Sequence, residues 1–174
     1  MFDKLIEILE VVWDYIVPYI IVMEYQEGVV LRFGTFKKVI TKGLHFKIPF
    51  ADYVMVENTV ITTTQLPPQS LTTKDEKTIV VKGMVKYQIE DVKMYCLSVW
   101  DTKDAIIDIA CGIIRETINE RDWSELKDGK IDGLISRRVT SALSKYGIKV
   151  EWVTLTDMAI MKSFRLFTDK QLTD

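Results

Sequence analysis

Thr78 to Ile89 constrains the fold more than any other stretch of this chain. Ile79, Val81, Gly83, Val85, Tyr87 and Ile89 fall on one side of an extended backbone, and Thr78, Lys82, Lys86 and Gln88 fall on the other. A period of two with apolar residues on one side marks a strand with one buried face and one wet face. Such a strand needs other elements to cover its apolar side.

The residues that follow supply them. Asp101 is placed to cap a helix from about Thr102 to Asn119, and Asp104 suits its first turn. Ile106, Ile109, Ala110, Ile113, Ile114 and Ile118 recur at helical spacing. Asp122 to Leu126 reads as a short turn. A second helix is expected from about Ile131 to Tyr146, through Ile131, Leu134, Ile135, Val139, Ala142, Leu143 and Tyr146, with Gly147 in the left-handed position after it. Ile148 to Thr156 alternates as a closing strand, and Met158 to Leu172 is expected to start a further helix.

Upstream, Gly28 to Phe33 alternates around Val29, Leu31 and Phe33, and Gly34 turns the chain into a strand near Thr35 to Ile40. Lys42-Gly43 turns again, and Pro49 limits the pairing of a short strand from Leu44 to Ile48. Tyr53 to Leu66 reads as β with a kink near Glu57-Asn58, and Pro67-Pro68 breaks the ladder. Lys74 to Lys77 is a polar turn. Strands, then two helices, then one strand define an α+β domain: a curved, mainly antiparallel sheet with two packed helices. No internal repeat, low-complexity tract or linker interrupts it.

The N-terminus has a different character. Leu5 to Met23 is apolar enough to meet a membrane as a helix, through Leu5, Ile6, Ile8, Leu9, Val12, Trp13, Ile16, Val17, Pro18, Tyr19, Ile20, Ile21 and Met23. Asp3, Glu7, Glu10 and Asp14 form one acidic stripe along it. A carboxylate at the bilayer centre costs about 2.5–3.5 kcal/mol, and Pro18 bends the helix near Asp14. Three membrane placements fit: flat in the interface with the stripe toward water, a bent re-entrant insertion, or a span with the acids turned inward among copies. A fourth reading packs the helix on its own domain or on a partner subunit. In a span, Arg32, Lys37, Lys38 and Lys42 after the segment place the globular part on the cytoplasmic side. An acidic stripe does not favour anionic lipid, so apolar insertion is expected to drive binding.

Composition removes several functions. A net charge of −2 with no contiguous block of Lys and Arg gives no field for nucleic acid. Cys96 and Cys111 lie among apolar neighbours without metal-ligand spacing and are expected as buried free thiols. His45 is the only histidine, and no nucleophile, zinc or phosphate motif accompanies it. Asp75-Glu76 and Asp101/Asp104 suit a turn and a cap. No catalytic residue, cofactor or metal is expected. Trp100, Trp123 and Trp152 are expected in the core. Leu44, Phe46, Ile48 and Phe50 fit either an alternating core strand or a second, shallow membrane contact, the latter through Leu44, Phe46 and Phe50.

Short motifs between Glu27 and Ile89 bear a family likeness. Glu27-Gly28-Val29-Val30-Leu31-Arg32-Phe33-Gly34-Thr35-Phe36, then Gly43-Leu44-His45-Phe46-Lys47-Ile48-Pro49-Phe50, then Gln69-Ser70-Leu71-Thr72-Thr73-Lys74-Asp75 resemble, in order and spacing, the SPFH or band 7 family of stomatins, prohibitins and flotillins. Trp123-Ser124-Glu125-Leu126 and Tyr146-Gly147-Ile148-Lys149-Val150-Glu151 extend the likeness, which covers roughly Glu24 to Met161. Lys42-Gly43-Leu44 departs from the family's usual Pro-Gly-Leu. Relatives continue into a long coiled coil, for which the residues after Lys162 are too few, so a compact form is expected. Its parts are a membrane-inserting segment at 1–23, an SPFH-like domain at 24–161 and a short helical tail at 162–174.

Membership implies oligomers at a membrane, often rings, that organise local lipid and protein. It also implies, in some relatives, control of membrane-bound AAA proteases. The function expected is therefore a non-catalytic scaffold whose partners are membrane lipid and copies of itself. The alternative is a regulatory subunit that gates a membrane-bound AAA protease or another membrane enzyme.

Overall fold

The alternating strand lies at the middle of the largest sheet. A computed structural model of the 174-residue chain describes residues 18–127 and 130–161. Nine strands occur among them: β1 (Tyr19–Val22), β2 (Gln26–Arg32), β3 (Thr35–Ile40), β4 (Gly43–Phe46), β5 (Asp52–Asn58), β6 (Thr62–Gln65), β7 (Gln69–Thr72), β8 (Thr78–Ile89) and β9 (Ile148–Ile160). Four helices join them: α1 (Val92–Leu97), α2 (Thr102–Asn119), α3 (Trp123–Leu126) and α4 (Ile131–Leu143). A 3-10 turn, Ser144–Tyr146, follows α4.

The strands form three antiparallel sheets rather than the single sheet expected. β1 pairs with β4; β2 lies between β3 and β5; β8 pairs with β6 and β7 along one edge and with β9 along the other. The fold is α+β, as the periodicities indicate. Ile79, Val81, Val85, Tyr87 and Ile89 are all buried. Against them pack Ile106, Ala110, Ile114 and Ile118 of α2 and Ile131, Ile135, Val139 and Leu143 of α4. A second cluster, Val22, Val30 and Ile40 with Ile20 and Val54 beside it, holds β1 onto the smaller sheet.

Helix α2 begins where its cap requires, with Asp104 N–H donating to Asp101 Oδ1 at 3.1 Å. Six-residue α1 was not foreseen. Asp91 caps it by accepting from Met94 N–H at 2.9 Å, but one and a half turns are too short to show a helical period. The bulges in β9 opposite Lys82/Gly83 and Lys86/Tyr87 let it follow β8 beyond Thr156 to Ile160. The helix expected from Met158 therefore does not begin there; Met158 faces Val81 in the ladder. The rest of that expected helix, and the tail at 162–174, lie outside the described residues.

The N-terminal reading needs a similar correction. Tyr19–Val22 is a strand, so the apolar helix does not reach Met23. Pro18 supplies no amide proton for a helix to continue, and Ile20 and Val22 find burial at a period of two. The rest of the expected helix, with Leu5, Ile6, Ile8, Leu9, Val12, Trp13, Ile16 and Val17, lies outside the described residues.

Gly147 ties the two halves of the helical layer together. It sits at φ 73°, and a Cβ there would lie 2.4 Å from Asp91 O. Its own carbonyl accepts from Glu90 and Asp91 N–H at 2.9 and 3.1 Å. Gly147→Ala is expected to destabilise the fold by more than about 1 kcal/mol, read as a lower urea midpoint with an unchanged slope.

Candidate membrane interface

Cross-strand register sorts the β1–β4 ribbon into two faces. Tyr19 lies opposite Phe46, and Ile21 lies opposite Leu44. Directly opposed residues share a face, so these four form one apolar surface. Ile20 and Val22 point the other way, into the small core. The outer surface stays open: Phe46 is 76% and Leu44 60% exposed. Tyr19, Ile21 and Met23 are exposed as well.

The loop after β4 and the β2–β3 turn bonded to it each present an aromatic ring. Phe33 and Phe50 are 81% and 80% exposed, with Ile48 also exposed between the ribbon and Phe50. Both phenylalanines hold the left-handed backbone, at φ 48° and 65°. That conformation costs a bulky residue about 1–3 kcal/mol. Phe33-Gly34 is the two-residue link between paired Arg32 and Thr35, with both φ angles positive. Asn, Asp or Gly is the usual first residue of such a turn. A ring therefore occupies the tip where a turn-former would be more stable.

An ion pair with a buried carboxylate and a partly exposed guanidinium holds these loops together. Arg32 Nε and Nη2 donate to Asp52 Oδ1 and Oδ2 at 2.7 and 3.0 Å. The Asp52 side chain is 1% exposed. It also accepts from Ile48 N–H at 2.8 Å, while Phe33 N–H donates to Ala51 O at 2.9 Å. Asp52 thus joins the end of β2, the Phe33 turn and the loop carrying Phe50. Lys47 N–H donates to Pro18 O at 2.9 Å, which brings the same region to the point where residues 1–17 join the domain.

Leu44, Phe46 and Phe50 are brought together at one end of the domain, so the core-strand reading of this motif does not hold. Among the described residues β4 ends at Phe46 and pairs only with β1, and the Leu44 and Phe46 side chains on its outer face are exposed. The alternating pattern that ends at Phe33 in the sequence stops as a strand at Arg32, and Phe33 is an exposed turn tip. The clue in the sequence was a phenylalanine before Gly34 where a turn-forming residue belongs.

The remaining expected sites fall elsewhere. His45 Nε2 lies 2.5 Å from Thr41 O, on the ribbon face opposite Phe46. Cys96 and Cys111 are free but half-buried rather than buried. Burial pushes the Cys96 thiol up to about 11 and the Cys111 thiol in the same direction, away from reactive thiolate. Among the described residues no three His, Cys, Asp or Glu side chains are grouped to hold a metal. Asp75 accepts from Thr73 Oγ1 at 2.6 Å and from Trp123 N–H at 3.1 Å, and it pairs with Lys77 at 2.7 Å, a set that joins a turn to α3. Of the tryptophans expected in the core, Trp123 packs against it. Trp152 is partly exposed beneath Lys86, and Trp100 is fully exposed. Among the described residues no helix is long and apolar enough to cross a membrane.

Sequence comparison places the family. Residues 20–166 match the SPFH domain / Band 7 family, which is most of the chain, and the protein belongs to that family. It is 27% identical to an uncharacterized protein of Archaeoglobus fulgidus over 83% of this chain and 59% of that one. It is 26% identical to mouse stomatin over 80% of this chain and 51% of stomatin. Protein HflC of Buchnera aphidicola is 32% identical over 67% of this chain and 37% of its own length. The chain thus spans little more than half the length of such curated relatives.

Arg32 holds the Asp52 carboxyl down to about 2, helped by the Ile48 amide. A carboxyl lowered on folding adds stability above its unfolded value, and that contribution is lost as pH falls through its folded value. Wild-type protein is therefore expected to lose stability between about pH 4 and pH 2 through this pair. In Asp52→Asn, denaturation at neutral pH should show a less stable fold, and the loss across that interval should be smaller.

Proposed function

We propose that this protein is a membrane-associated, non-catalytic scaffold whose domain meets lipid through the Tyr19–Phe46 ribbon and the Phe33 and Phe50 tips. The observation that carries this reading is the pair of strained, exposed phenylalanines beside an unpartnered apolar ribbon. Exposed apolar surface of this extent favours a site of interaction, and strain kept at exposed tips favours a functional cause. The surface lies where residues 1–17 join the domain, so the apolar segment and the ribbon approach one bilayer together. Two weak attachments on one chain bind far more tightly than either alone, because the second becomes intramolecular. Copies held on one surface concentrate in turn, and oligomers at a membrane are what the family resemblance implies. The globular domain then lies on the cytoplasmic side, in keeping with the basic residues after the segment.

The regulatory alternative, a subunit that gates a membrane-bound AAA protease, rests on the same family resemblance. A pulldown from membranes separates the two readings. A scaffold returns mainly itself and lipid, whereas a regulator returns a stoichiometric enzyme.

Phe33→Asn and Phe50→Asn test the interface, because Asn tolerates the left-handed backbone. Each is expected to leave the melting temperature unchanged or higher. Each is also expected to weaken flotation of the full chain with phosphatidylcholine vesicles, by about tenfold or more for a phenylalanine worth about 1.5–3 kcal/mol in burial. Undiminished flotation of the double variant would remove the ribbon and tips from the membrane contact. Undiminished flotation of a chain beginning at Pro18 would remove the N-terminal segment.

A further inference from the structure

Two surfaces at opposite ends of α2 match one another. At its start, Trp100 is fully exposed between Val99 and the capping Asp101. Met94 and Leu97 of α1 are exposed nearby in sequence. An indole has a large apolar body and one N–H donor, and Trp is the residue type most enriched where binding energy concentrates at interfaces. Core packing does not explain this one.

Beyond the other end of α2, the residues of α3, the first turn of α4 and the far half of β9 enclose a cleft of about 350 Å³. Leu126, Ile131, Leu155 and Met158 line it, with Asp132 and Lys127 as its charged groups. Asp132 accepts from Leu155 N–H at 3.4 Å and from the Thr154 hydroxyl. A carboxylate offers about four acceptor positions, so Asp132 has capacity for another donor. Lys127 Nζ lies 5.2 Å from the Trp123 ring centroid, which keeps a positive charge at the rim.

α2 has 18 residues, a length of about 27 Å at 1.5 Å per residue. The indole and the cleft therefore cannot meet within one copy. We propose that Trp100 of one copy seats in the Leu126–Met158 cleft of the next, with its indole N–H donating to Asp132. The cleft has room for an indole, and its apolar walls and half-buried carboxylate correspond to the two ends of that side chain. Asp101 stands next to the indole and Lys127 at the rim of the cleft, so the two surfaces carry opposite charges. Contacts between different surfaces of identical copies repeat head to tail, closing into a ring or extending as a filament. This inference rests on the oligomeric-scaffold reading and names the surfaces that would join the copies. Neither surface shares a residue with the Tyr19–Phe46 ribbon.

The test uses the full chain in detergent, with oligomer size read by sedimentation. Trp100→Glu removes the knob, and Met158→Glu blocks the cleft. Lys127→Glu is a second cleft variant at an exposed position, used if Met158→Glu lowers the melting temperature. Each variant alone is expected to associate at least tenfold more weakly than wild type. Mixed in equal amounts, a knob variant and a cleft variant should form dimers and nothing larger, since one good knob and one good cleft remain per pair. Variants that assemble like wild type, or a mixture that stays monomeric, would overturn the docking while leaving the scaffold reading in place. A wild-type chain that is monomeric throughout would overturn both, and vesicle flotation would then report on membrane contact independently.

Discussion

One face of β8 organises the domain. Its buried side chains alternate with Thr78, Lys82, Lys86 and Gln88 and the half-buried Val80 and Met84 on the other face, so its register is fixed by the difference between water and apolar surroundings. A slip of one residue would turn Lys82 and Lys86 into the core and Val81 and Val85 out of it. Because β8 pairs with strands along both edges, that single register also sets β6, β7 and β9. Helices α2 and α4 then lie where they cover it, each by an apolar stripe that has no other surface of the domain to bury against.

The smaller sheets follow a different logic. Val22, Val30 and Ile40 form a modest cluster, and polar contacts do more of the positioning. Arg32 and Asp52 join a hairpin to a loop, and the desolvation of the carboxylate is offset by a bidentate partner and the Ile48 amide. The result is a rigid mount for side chains that stay largely exposed. Phe33 and Phe50 keep unfavourable backbone angles and exposed rings, a combination that is costly in a monomer in water. Apolar contact outside the domain would offset that cost, and this supports the proposal that lipid meets this end of the molecule.

Legibility in the sequence tracked periodicity. β8, α2, α4 and the left-handed Gly147 could be read because each repeats, or terminates, a pattern over many residues. Helix α1 could not, since Val92 to Leu97 has six residues, five of them apolar, and so shows no period. The extension of β9 to Ile160 depended on bulges, which shift the alternation without leaving a mark in residue type. At the site, the residues of the Gly43–Phe50 motif were singled out but their exposure was left open, because an alternating apolar run reads the same whether a second layer covers it or not. Trp100 shows the reverse error: a large apolar residue was assigned to the core by type alone.

The amino-acid sequence by itself determined the α+β class, the two long helices, the central strand with its inner and outer faces, and membership in the SPFH family. These depend on local spacing and on motifs that survive without knowledge of distance. Only the tertiary structure decided that Tyr19, Ile21, Leu44 and Phe46 share one open face, that Phe33 and Phe50 stand beside it, and that Trp100 and the Asp132 cleft lie at opposite ends of a helix. Exposure is a property of what else arrives at a surface, and that is set by pairings between residues far apart in the chain.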